Sequence, residues 1–262
     1  MKVEFQIHSN DKKKPWIVLI NGLFASLELW EPCIDALKPH FQILRYNCQG
    51  QGLIPEVKHK YLLDDHVKDL HDLLSELHIE KAHLLGISNG GRIALKFASL
   101  FPEACHTVIA SDTYDKLTTS MSLKIESWLK AQDSGDQELR FDISTPWIFG
   151  DTFLTSKKDQ LTEIKELACK QNKEVVAGLI RGALEGEVDL KSIETPVLFL
   201  VGEEDVLTPI YLHQRMHQKT KNSKISVIKG GHASLYEFPE NIDMHIIPFL
   251  KDQSNQLPEH SL

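Results

Sequence analysis

Gly86-Ile87-Ser88-Asn89-Gly90-Gly91 joins an apolar run, Ala82-His83-Leu84-Leu85, to a helical pattern that begins Arg92-Ile93-Ala94-Leu95-Lys96-Phe97-Ala98. A G-x-S-x-G turn between a strand and a helix leaves no room for side chains at Gly86 and Gly90. It forces Ser88 into a strained backbone with its hydroxyl raised above the strands. That hydroxyl then sits at a helix N-terminus, where free N–H groups and the helix dipole favour negative charge. A serine in such a turn can also do nothing more than cap the helix. The other groups needed for nucleophilic attack on a carbonyl decide between the two.

A serine hydroxyl is too weak an acid to attack unaided and needs a base, which in turn needs an orienting group. Val201-Gly202-Glu203-Glu204-Asp205-Val206-Leu207-Thr208-Pro209 places carboxylates after one late strand, and Gly230-Gly231-His232-Ala233-Ser234 places a histidine after another. Any one of the 13 histidines would more often be a surface or core residue. His232 differs because it follows two glycines at a strand end, after the serine turn and the acidic turn in chain order. Glu203 and Glu204 compete for the role of acid, and the spacing to Pro209 favours Asp205. Ser88 is thus the candidate nucleophile, His232 the general base and Asp205 the group that fixes the imidazole tautomer. Kinetics on such a base rise with pH through a pKa near ~6–7, since only neutral imidazole accepts the proton.

Such residues converge only if strand ends share one rim. Val3 to Ser9 alternates as an early edge strand, with Asn10 to Pro15 as its turn, and Trp16-Ile17-Val18-Leu19-Ile20 is a continuous apolar run suited to burial on both faces. Asn21-Gly22-Leu23-Phe24-Ala25-Ser26 follows as a loop opening a helix with Leu27, Leu29, Trp30, Ile34 and Leu37. A strand over 41–46, a helix over 63–77, the strand before Ser88, its helix and a strand over 107–110 continue the alternation. Alternation of this length predicts an α/β fold with a doubly wound, mostly parallel sheet, in which ligands bind beyond the carboxyl ends of the strands. From 111 to 194 the pattern turns helical, with helices expected over 121–131, 157–171 and 173–184; strands then resume over 197–201 and 224–228, and a closing helix is expected over 242–250. The expected organisation is a core of 1–110 and 195–250, a helical cap over 111–194, and a polar, disordered tail over 251–262. Ordinary surface helices would give the same periodicity in 111–194.

Composition narrows the partners. Lys and Arg number 29 against 37 Asp and Glu, for a net charge of −8, which argues against nucleic acid. No run approaches the length that spans a bilayer, and Met1-Lys2-Val3-Glu4 has no apolar signal core, so a cytoplasmic protein without membrane partner is expected. Cys33, Cys48, Cys105 and Cys169 stand singly, as reduced core thiols rather than a zinc site or disulfide scaffold. Neither a dinucleotide fingerprint nor a phosphate-binding loop is present, and the expected chemistry needs no metal or organic cofactor.

Along nearly its whole length the chain resembles an α/β-hydrolase, and the first 110 residues are similar to the 3-oxoadipate enol-lactonase branch. The matching features are Leu19-Ile20-Asn21-Gly22-Leu23 with Trp30 downstream, 41–46, the Gly86–Gly91 turn, Asp205-Val206-Leu207-Thr208-Pro209, and Gly230 to Glu240. Carboxylesterases, pimeloyl-ester esterases and carbon–carbon-bond hydrolases share these pieces. The resemblance implies a serine hydrolase of a small-to-medium carboxylic ester or lactone, with oxyanion donors from the backbone N–H groups of Leu23 and Asn89. Thioester hydrolysis or acyl transfer on the same triad, and a non-catalytic binding protein that keeps the fold, remain open. Where the family has D-x-R-G-H-G-x-S, this chain has Asn47-Cys48-Gln49-Gly50-Gln51-Gly52-Leu53-Ile54, so an ion pair and a histidine have become neutral amides. Asn89 likewise adds a polar side chain beside Ser88. Phe24 below, with Trp128, Trp147, Phe149 and Phe153 above, are the candidate pocket walls.

Overall fold

The structure, a computed structural model, describes residues 3–9, 11–52 and 56–254. In chain order the elements begin β1 (Phe5–His8), β2 (Trp16–Ile20), α1 (Glu31–Leu37), β3 (Gln42–Tyr46), α2 (Leu63–Glu76), β4 (Ala82–Ile87), α3 (Asn89–Leu100) and β5 (Cys105–Ser111). Five helices follow: α4 (Thr119–Asp133), α5 (Gln137–Ile148), α6 (Asp151–Ser156), α7 (Lys158–Lys170) and α8 (Lys173–Ala183). The chain then closes with β6 (Val197–Gly202), α9 (Ile210–Lys219), β7 (Ser223–Ile228), α10 (Ser234–Glu237) and α11 (Ile247–Ser254).

Among the described residues seven strands form one sheet in the order β1-β3-β2-β4-β5-β6-β7. β1 runs antiparallel to β3 at the edge, and every other neighbouring pair is parallel. Parallel neighbours require crossovers, and the helices supply them on both faces. Continuous apolar runs follow from this burial: on β2, Val18 and Ile20 face a core shared with α2 and α3, while Ile17 and Leu19 face a second core shared with α1 and α11. The chain moves outward from β2 to β3 and then returns to place β4 on the other side of β2. Such a reversal opens a crevice at the carboxyl ends of β2 and β4, and there lie Asn21-Gly22-Leu23 and Ser88.

Between β5 and β6 the structure has two helices, α5 and α6, beyond the three expected. Pro146 hides α5 from a sequence reading, since proline normally stops a helix. It falls in the last turn here, the ladder continues through Phe149 N to Thr145 O, and Asp136 caps the start. The expected closing helix over 242–250 is a π-helical turn, Ile242–Ile246, running into α11. That wider turn comes immediately before Pro248, which has no N–H to give to the ladder. Helix extends to Ser254, into the segment expected to be disordered, and the rest of that expectation lies outside the described residues, as do Asn10 and Leu53-Ile54. Cys33, Cys48 and Cys105 are buried free thiols and Cys169 is half-buried; burial pushes Cys33 and Cys48 up to about 12. Among the described residues no helix is long and apolar enough to cross a membrane.

Candidate active site

Ser88 follows β4 and precedes α3 with φ 55° and ψ −120°, a backbone almost closed to a residue with a Cβ. The turn is tight enough that a Cβ on Gly86 would lie 2.2 Å from Gly90 O, and one on Gly90 would lie 2.2 Å from Ile20 O. Two bonds over-determine the conformation: Ser88 N donates to Ser111 O at 2.9 Å, and Thr113 Oγ1 donates to Ser88 O at 2.6 Å. Its side chain stands half-exposed, with Oγ 2.8 Å from His232 Nε2. His232 Nδ1 lies 2.9 Å from Asp205 Oδ2. A carboxylate can only accept, so Nδ1 carries the proton and Nε2 presents its lone pair to the serine hydroxyl.

Asp205 is held on every side. Leu207 N and Thr208 N each donate to Oδ1 at 2.8 Å, and Thr208 Oγ1 donates to Oδ2 at 2.6 Å. Burial would raise its pKa, but the His232 charge and hydrogen bond and the Thr208 donors outweigh that and hold it below the usual carboxylate range. For His232 burial would lower the pKa; the Asp205 charge and hydrogen bond, with Asp112 and Glu237 behind, carry it above the ordinary histidine value. The competing acids are elsewhere: Glu203 points into solvent, and Glu204 accepts from Thr152 N at 3.0 Å and Thr152 Oγ1 at 2.5 Å.

A family model described as the alpha/beta hydrolase fold matches residues 15–142. Among solved structures, an α/β hydrolase from a Medee basin deep-sea metagenome library superposes with a TM-score of 0.88 at 25% identity, covering 95% of this chain and 94% of that one. The chain has the α/β-hydrolase fold. Two curated proteins similar to this chain have different names. 3-Oxoadipate enol-lactonase 1 of Acinetobacter baylyi is 29% identical over 90% of this chain and 89% of its own length. Poly(3-hydroxyalkanoate) depolymerase of Ectopseudomonas oleovorans is 25% identical over 93% of this chain and 87% of its own.

The loop after β2 runs against Ser88: a Cβ on Gly22 would meet Ser88 Cβ at 3.2 Å and Ile87 O at 3.3 Å. Leu23 follows at once, and among the described residues no hydrogen bond takes its N–H. Asn89 is the first residue of α3, where the backbone N–H has no partner within the helix. Its side-chain oxygen accepts from Arg92 Nη1 at 3.4 Å. The amides of the 47–51 loop tie that loop to its neighbours. Asn47 Oδ1 accepts from Leu27 N at 2.8 Å, Gln49 Nε2 donates to Asp69 while its Oε1 accepts from Lys58 Nζ, and Gln51 Nε2 donates to Gly22 O at 2.6 Å.

The five aromatic candidates separate into two groups. Phe24, Trp128 and Trp147 share a cluster with Leu207, two residues beyond Asp205, and the Phe24 and Trp128 rings are 6.4 Å apart. Phe149 and Phe153 stack at 5.0 Å and pack with Tyr236 of α10 instead. Sequence reading missed three groups around the histidine. Asp112, fully buried, accepts from Gly202 N at 2.7 Å, Ser111 Oγ at 2.8 Å and Ser234 Oγ, tying the ends of β5 and β6 to the histidine turn. Burial first, and then the Asp205 charge, raise its pKa. Thr208 supplies two of the Asp205 donors. Glu237 accepts from Gly231 N and from Gly150 N between α5 and α6, and burial pushes it up to about 7. A polar Ser-Asp-Thr at the carboxyl end of an apolar strand was the available signal for Asp112. No group of three or more His, Cys, Asp or Glu among the described residues is placed to hold a metal ion.

Proposed function

We propose that this α/β hydrolase cleaves a small-to-medium carboxylic ester or lactone through an acyl-enzyme on Ser88. The reading is carried by the line of contacts at 2.8 and 2.9 Å from Ser88 through His232 to Asp205, on a strained turn at the crevice of the sheet. His232 Nε2 takes the hydroxyl proton as Oγ attacks the carbonyl, and Asp205 stabilises the imidazolium that results. The N–H groups of Leu23 and Asn89 receive the developing oxyanion. His232 then protonates the leaving oxygen, and the same histidine activates the water that releases the acid. Every proton is carried by this chain's own residues.

Residues 111–194 act as a cap over the core of 1–110 and 195–250, and Phe24, Trp128 and Trp147 wall an apolar acyl pocket beside Leu207. Phe149 and Phe153 support the histidine turn rather than line that pocket. The lactonase name of one relative favours an ester or lactone carbonyl. A small molecule in the cytoplasm, not nucleic acid or membrane, is the partner that fits a net charge of −8. Labelling with a fluorophosphonate, mapped by mass spectrometry, tests the nucleophile. Wild type should be modified at Ser88 alone and hydrolyse p-nitrophenyl butyrate, while Ser88→Ala should lose labelling and about 10⁴-fold or more in kcat with its fold intact. Retention of most activity in Ser88→Ala would remove the turn from the chemistry.

A further inference from the structure

Leu23 lies between two backbone carbonyls that are each held by a glutamine amide from a different layer of the molecule. Gln51, in the turn after β3, donates from Nε2 to Gly22 O at 2.6 Å. Gln171, at the end of α7, donates from Nε2 to Phe24 O at 2.8 Å. We infer that Gln51 and Gln171 are positioning residues for the oxyanion, Gln51 fixing the Gly22–Leu23 peptide and Gln171 the backbone just beyond it at Phe24, so that the Leu23 N–H is aimed at the substrate's carbonyl oxygen. This rests on the proposed role of the Leu23 N–H.

The Gly22 carbonyl and the Leu23 N–H belong to one planar trans peptide and point in opposite directions. A donor fixed on the carbonyl oxygen therefore fixes the direction of the N–H. It also polarises the peptide, which strengthens the N–H as a donor. Gln51 is itself oriented: Asn21 Nδ2 lies 3.4 Å from its Oε1, and Asn21 Oδ1 accepts from Trp30 Nε1 at 2.7 Å. A carbonyl oxygen only accepts, so the face of the Gln51 amide toward Gly22 must be its NH₂.

The second clamp answers a different need. Phe24 has φ 65°, a left-handed backbone that a phenylalanine leaves readily unless its surroundings hold it. Relaxation of Phe24 would swing the peptide on its amino side, which is the link to Leu23. Gln171 opposes this from the helical segment, and the Trp128 and Arg140 side chains pack on the Phe24 ring from the same segment. The oxyanion donor is thus set jointly by the sheet layer and the helical layer.

The test compares fluorophosphonate labelling rates of wild type, Gln51→Leu, Gln171→Leu and Gln51→His, since phosphonylation also builds negative charge on an oxygen in this position. Wild type must label at Ser88; failure there sinks the underlying reading and is seen before any variant is compared. Each leucine variant should label about tenfold or more slowly, a part of the cost of losing one oxyanion donor outright. The pH midpoint of labelling and the melting temperature should stay at their wild-type values, because His232 and the cores are untouched. Gln51→His, which keeps a donor, should recover most of the rate. Leucine variants that label at the wild-type rate would overturn the inference, as would a loss accompanied by a shifted pH midpoint or a histidine variant no faster than leucine. Gln171 lies outside the sheet cores, so its variant gives an independent reading should Gln51→Leu fold poorly.

Discussion

His232 makes its hydrogen bonds at both ring nitrogens with no freedom left over, and its titration follows from that environment. Its pKa is above the ordinary histidine value, so at pH 6.5 most of the imidazole is protonated and unable to act as base. The expected kcat/KM therefore climbs with rising pH to a midpoint above about 6.5 and then levels. A profile flat from pH 5 to 9 in single-turnover assays would exclude this histidine. Asp205→Asn should cut kcat on the order of 10⁴-fold, because the amide can hold the wrong tautomer. Its residual rate should have a midpoint at lower pH, since loss of the carboxylate charge leaves burial to dominate. Glu203→Gln, by contrast, changes a solvent-facing group and should leave the rate within about twofold. Ser88, Asp205 and His232 were legible in the sequence because each stands in a local turn with its own composition. Asp112 and Glu237 were not, because their importance arises from partners 90 and 87 residues away that only the fold brings near.

Elements show the same division between local and distant causes. β2 and β6 were readable as uninterrupted apolar runs, β4 as a largely apolar run leading into the serine turn, and α2 by its leucine stripe, whereas α5 and α6 carry a proline and a scatter of polar residues that break any stripe. What holds that helical segment to the sheet domain was not readable either. Arg92 of α3 is fully buried, lies 4.5 Å from the Tyr114 ring centroid, and donates from Nη2 to Glu185 O at 2.8 Å and Gly186 O at 2.6 Å. It anchors the chain as it leaves α8, although its own helix pattern marks it only as a charge among apolar neighbours. Arg92→Leu would bury those carbonyls without donors, and the expected loss is about 3 kcal/mol or more in urea unfolding. An unchanged urea midpoint would show that the exit from α8 is held by other contacts.

For the whole molecule, fold class followed from the alternation of strands and helices, but the strand order did not, since pairing of β4 beside β2 is a matter of distant contacts and crossover handedness. Size selection belongs to this scale as well. The apolar pocket proposed between Phe24, Trp128 and Trp147 would gain roughly 0.8 kcal/mol per buried methylene until full. Activity on simple esters should therefore peak at acyl chains of about four to eight carbons and fall sharply beyond. Rates that improve steadily to sixteen carbons, or jump at a lipid–water interface, would sink the enclosed pocket. Glu237 couples two layers of the molecule. Its carboxylate grips Gly231, next to the base, and Gly150, in the helical layer, with the same two oxygens. Lifting the layer at Gly150 would strip that carboxylate of half its donors and slacken the turn that steadies His232. A disturbance of the helices at Gly150 would thus reach the turn that holds His232 through a single side chain.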